Sequence, residues 1–173
     1  MGRRLSVLAV ALFFWAGVLW AGGADAAERK LAFAVDGVVA EVMAKPGQAV
    51  KAGTPLARLD LVPFRARKRA ADEGIAAAQL TLKFAEDNVS RVKQLFDDLA
   101  TSREELDKVH TELAKAKADV ARARGRAEVA AWKLERATLK APKDGKVVSV
   151  PGYPGQVISV QAGSPTVVVL DMP

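Results

Sequence analysis

Apolar positions in the middle of the chain recur at intervals of three and four. Ile75, Leu82, Val89 and Phe96 stand seven residues apart, with Ala71, Ala78, Ala85, Val92 and Leu99 in a second row beside them. A second stretch repeats the pattern, with Leu106, Leu113, Val120, Ala127 and Leu134 beside Val109, Ala116, Ala123, Ala130 and Ala137. Two apolar rows repeating every seven residues predict coiled-coil helices, and the segment from Arg65 to Arg136 contains no Pro to interrupt them. The pattern breaks near Asp98 to Thr101, where Ser102 followed three residues later by Glu105 reads as a capping box that starts a second helix. The two helices therefore run antiparallel. Folding them about residue 99 places Leu82 opposite Ala116, Ile75 opposite Ala123, Leu113 opposite Ala85 and Val120 opposite Ala78. Large residues meet small ones, which permits close approach without voids. At 1.5 Å per residue, about 35 residues per helix make a rod of roughly 50 Å.

On either side of the rod the periodicity changes. Leu31 to Leu59 and Thr138 to Val169 are rich in Val, Gly and Pro, which predicts short strands joined by tight turns. The flanks repeat one another. Asp36-Gly37 matches Asp144-Gly145, Val42 matches Val150, and Pro46-Gly47-Gln48 matches Pro154-Gly155-Gln156, all at an offset of 108; Ala52-Gly53-Thr54-Pro55 then faces Ala162-Gly163-Ser164-Pro165 at 110. A half of about 30 residues cannot bury its own apolar face, so the copies should pack together across a pseudo-twofold axis. The expected fold class is α+β, a small β domain split by a long antiparallel helical coiled-coil hairpin. The expected division is 1–26 leader, 31–62 first half-motif, 63–137 hairpin and 138–171 second half-motif.

The leader is read from Met1–Arg4, a short basic start, from the uncharged Leu5–Ala24, and from the small residues of Ala24-Asp25-Ala26. These predict an exported protein with a cleaved signal, an uncleaved anchor being the alternative. The 173 residues include no Cys, which excludes disulfides, thiol chemistry and a lipidated N-terminal Cys. Without the leader, 24 basic and 19 acidic residues remain, a balance that in an exported protein reads as a solvated surface and not as a nucleic-acid site. The single His110 and scattered carboxylates suggest no metal cluster, no catalytic residues and no acid/base pair, so the chain is not expected to be an enzyme.

Near the hairpin tip, Arg91 and Leu95 fall outside the apolar seam, one turn apart on the same face. Leu95 would then be offered to a partner, the alternative being that Arg91 pairs with Asp87, Leu95 flanks the seam and Ser102 only caps. Gly74 and Gly125 lie off the seam at nearly the same height, and each weakens its helix by about 1 kcal/mol relative to Ala. Together they are hinge candidates, or else tolerated surface glycines.

These features resemble the periplasmic adaptors, or membrane fusion proteins, of the HlyD type. The likeness rests on Gly37-Val38-Val39, Pro46-Gly47-Gln48, Val50, Gly53 and Leu59-Asp60 in the first half. In the second it rests on Thr138-Leu139-Lys140-Ala141-Pro142, Asp144-Gly145, Val147-Val148 and Gly155-Gln156-Val157. It implies that the β domain is lipoyl-like, a barrel-sandwich hybrid. Family hairpins that dock onto a TolC-like outer-membrane channel carry Arg, Leu four residues on and Ser seven further, the spacing of Arg91, Leu95 and Ser102. The resemblance implies a periplasmic subunit, associated with the inner membrane, that links an ABC or RND type transporter to that channel. It also implies a homo-oligomer, trimer or hexamer, in the assembly.

Usual adaptors continue into a β-barrel and a membrane-proximal domain, whereas this chain ends at Pro173, so a short form lacking both is expected. Two other functions would fit parts of the sequence. A lipoyl or biotinyl carrier would display its Lys on the hairpin joining the half-motifs, where this chain has its coiled coil; Met43-Ala44-Lys45 lies inside the first half. No cofactor is expected. An exported structural coiled coil without a transport role explains the heptads but leaves the split repeat and the tip triple as coincidences.

Overall fold

The computed structural model describes residues 27–172, so the leader read at 1–26 lies outside the described residues. Four strands come first: β1 (Ala27–Leu31), β2 (Gly37–Val42), β3 (Ala49–Val50) and β4 (Pro55–Leu59). Two helices follow, α1 (Val62–Asp97) and α2 (Arg103–Arg136), and then β5 (Thr138–Lys140), β6 (Gly145–Ser149), β7 (Val157–Ile158) and β8 (Val168–Met172). The strands form two four-stranded sheets, ordered β1-β8-β6-β3 and β5-β4-β2-β7, with antiparallel neighbours throughout. Replacing each first-half strand by its second-half counterpart turns one order into the other. Each sheet takes two strands from each half, so neither half can complete a sheet alone.

The turns and clamps repeat with the sequence. Lys45–Gln48 and Tyr153–Gln156 are tight turns in which Gly47 (φ 83°) and Gly155 (φ 87°) take the left-handed conformation that side chains resist. Each half then reaches into the other. The Asp36 carboxylate accepts from the Val160 N–H at 2.6 Å, and the equivalent Asp144 carboxylate accepts from the Ala52 N–H at 2.8 Å. Gly47 N–H donates to the Val147 carbonyl, and Gly155 N–H to the Val39 carbonyl, both at 2.8 Å. Between the sheets lies one core, in which Phe33, Leu56, Leu59, Ile158, Val167 and Leu170 are buried.

The rod is rooted in this core without a linker. Two residues separate β4 from α1, and the Asp60 carboxylate accepts from the Val62 N–H (2.9 Å) at the start of the helix. Phe64, in the first turn of α1, is 3% exposed and belongs to the β core, with Leu61 and Leu134 packed against it. Leu59 N–H donates to the Ala137 carbonyl, tying the entry of the hairpin to its exit. Along the seam Val92, Val109, Ala116, Val120, Ala123 and Ala127 are buried, and Ile75, Leu82, Val89, Phe96 and Leu113 are half-buried. Leu99 corrects the heptad reading. It is 93% exposed, because α1 has ended before it and the chain is already turning.

Candidate docking site at the hairpin tip

The tip is built by two helix ends. At the end of α1, Leu99 N–H donates to the Phe96 carbonyl (3.0 Å) and Ala100 N–H to the Leu95 carbonyl (2.7 Å), the paired bonds of a Schellman cap. That cap needs a left-handed residue, normally Gly, and this chain supplies Leu99 with φ 58°. It is the one non-Gly residue with positive φ among the described residues. At the start of α2, Ser102 is extended and its Oγ accepts from the Glu105 N–H at 3.2 Å. Only this half of the capping box forms, since the Glu105 carboxylate lies 3.6 Å from Lys108 Nζ. Glu104 and Glu105 in the first turn favour the positive end of the helix dipole.

The predicted residues are brought to one end of the rod. Arg91 donates to Asn88 Oδ1 at 2.6 Å and not to Asp87, and Leu95, one turn on, is 42% exposed. Ser102 lies across the turn with its Oγ engaged in the cap. Beside Arg91 a groove of about 610 Å³ runs between the helices, walled by Thr81, Phe84 and Arg91 on one side and Glu112, Lys115 and Asp119 on the other. Phe84 is 65% exposed. With Asn88, Arg91 and Leu95 it makes a line at spacings of four, three and four, which is one face of a helix. Sequence reasoning missed Phe84 and the exposure of Leu99. The signal for Phe84 was an aromatic ring outside both heptad rows. For Leu99 there was only an inter-helix turn without Gly or Asn, a turn that forces some other residue into the left-handed region.

Gly74 and Gly125 lie far from the tip. Both helices run unbroken through them, and a Cβ added at either meets no atom within 4 Å. Among the described residues no cluster of His, Asp and Glu could hold a metal ion, and no helix is long and apolar enough to cross a membrane.

A two-helix rod rooted in interleaved half-motifs has counterparts among known proteins. No family model matches the sequence. The uncharacterized protein YdhJ of Escherichia coli (strain K12) is 30% identical over 116 residues, which are 67% of this chain and 40% of that protein. Among solved structures, the MacA-MexA chimera containing the Pseudomonas aeruginosa MexA α-hairpin domain has a TM-score of 0.52 at 26% identity, over 84% of this chain and 48% of the other. The membrane fusion protein Spr0693 from Streptococcus pneumoniae R6 shares the fold with a TM-score of 0.65 at 18% identity, over 84% of this chain and 59% of the other. The likeness covers both the split β domain and the hairpin. In fold, and at 26% identity to the chimera in sequence, the chain resembles the membrane fusion, or periplasmic adaptor, proteins. It spans 40% of the length of YdhJ and about half that of the chimera.

Proposed function

We propose that the chain is the periplasmic adaptor of a tripartite efflux or secretion system, docking through its hairpin tip onto a TolC-like outer-membrane channel. Its other end would face an inner-membrane transporter of the ABC or RND type, and several copies, three or six, would surround the transport path. No chemistry is asked of it; it works by binding. The observation that carries the reading is the far end of the rod, where Leu95 and Leu99 expose apolar surface beside Arg91. An apolar anchor flanked by a cation is the kind of residue set that dominates a small interface. Leu95 and Leu99 would enter a gap between channel helices, and Arg91 would bond to a carbonyl or carboxylate beside it. Because Phe64 locks the rod into the β core, tilt would come from within the helices, and Gly74 and Gly125 are the positions with least side-chain resistance.

Binding of the full chain to the outer-membrane channel of the same organism, measured on immobilised channel, tests this reading. Leu95→Ala should weaken binding by about 1 kcal/mol or more per folded molecule. Unchanged binding in Leu95→Ala, Leu99→Gly and Arg91→Ala would remove the tip from the interface. For the hinge, spin-label distances between the β domain and the tip should narrow in the Gly74→Ala, Gly125→Ala double variant; equal breadth in both proteins counts against it.

A further inference from the structure

Charge is segregated along the rod. The base, residues 62–73 and 122–136, carries nine Lys and Arg against four Asp and Glu. The tip, residues 86–112, carries eight Asp and Glu against four Lys and Arg. The order is sharpest along one row of α2, where Glu105, Glu112, Asp119, Arg126 and Lys133 follow at intervals of seven and so share a face. Three acids face the tip and two cations face the base. The matching row of α1 is Arg67, Gly74, Thr81, Asn88 and Leu95. Both rows belong to the same side of the hairpin, because Thr81, Asn88, Glu112 and Asp119 line one groove, and Arg67, Arg126 and Lys133 line another.

That second groove, about 340 Å³ at the base, has an apolar floor that includes Ala70, Ala71 and Ala130, with Val129 on its wall. Among the described residues its cations Arg67, Arg126 and Lys133 form no ion pair, and neither does Glu112. Asp119, at the middle of the row, is neutralised by Arg122, and Glu105, at its tip end, has Lys108 at 3.6 Å on an exposed surface where such a pair exchanges readily.

We infer that this face is self-complementary and that two copies of the chain pair through it with their hairpins antiparallel. A twofold axis through the level of Thr81 and Asp119 sets Glu105 of one copy against Lys133 of the other and Glu112 against Arg126. On α1 the same axis sets Leu95 over the base groove at the level of Arg67, and Asn88 over Gly74, where no side chain intervenes. Stacking the same faces with the hairpins parallel would instead lay α2 of one copy on α1 of the other, setting Lys133 against Arg67 and Glu112 against Asn88 and forming none of these ion pairs, so charge selects the orientation. The paired form covers Leu95 and Arg91, making it a resting state of the isolated adaptor in which the tip is out of reach. The inference concerns the chain by itself, and it can fail while channel docking stands.

The chain has no Cys, so single thiols report orientation directly. The full chain carrying Lys108→Cys, mixed with full chain carrying Val129→Cys and oxidised, should yield the mixed disulfide in preference to either like pair. Sedimentation equilibrium should show dimers that weaken roughly tenfold or more between low and high salt. The Arg126→Glu, Lys133→Glu variant should weaken them at least as much with unchanged helix content, because these side chains stand outside the seam. A monomer at every concentration, a predominance of like-pair disulfides, or an unaltered dimer in the charge-reversed variant would overturn the proposal.

Discussion

Replacing Leu99 by Gly should make the hairpin more stable, although it deletes an entire side chain. Leu99 is 93% exposed, so its burial contributes less than about 0.3 kcal/mol, whereas its φ of 58° sets Cβ against the neighbouring carbonyl. That conformation costs a non-Gly residue about 1–2 kcal/mol, and the greater freedom of Gly in the unfolded chain takes back about 0.5–1 kcal/mol. The net gain is up to about 1 kcal/mol. For a domain of this size it corresponds to a rise in melting temperature of roughly 1–4 °C, followed by far-UV circular dichroism. Channel binding should fall in the same variant, because the apolar tip is lost. A sequence selected for stability alone would place Gly here, and under the proposed docking the strained, exposed Leu99 would serve the tip. A melting temperature lowered by several degrees would refute the strain argument, and a variant of equal or higher stability that binds the channel equally well would refute the role.

Phe64→Ala should cost about 3–5 kcal/mol, since the ring is 3% exposed within the β core, and should loosen the rod at its root, seen as broader spin-label distances to the tip. Gly74→Ala and Gly125→Ala should each stabilise by up to about 1 kcal/mol in denaturant titrations, as the added methyl meets nothing. Gly145→Ala should do the reverse by about 1–3 kcal/mol, because its Cβ would run into the backbone carbonyl of Asp171 on the neighbouring strand. A Gly145→Ala protein as stable as the parent would show that β6 and β8 can separate without penalty.

What the sequence determined by itself was everything carried by a period or a repeat. The heptad rows located both helices and their seam, because burial on a helix follows spacing and needs no knowledge of the rest of the fold. The offsets of 108 and 110 announced two equivalent half-motifs, and the Pro-Gly turns announced where the backbone must go left-handed. Ser102 and Glu105 marked the start of α2 because a cap is local chemistry. The tertiary structure alone decided how the halves interleave, since which strand lies beside which depends on contacts more than 100 residues apart, such as Asp36 with Val160. It made a strand of Ala27–Leu31, whose charged residues show little strand pattern, by pairing it with β8. It also moved Leu99 from seam to surface: a heptad counts residues, while the end of α1 depends on where its last carbonyls find donors, and here they find Leu99 and Ala100.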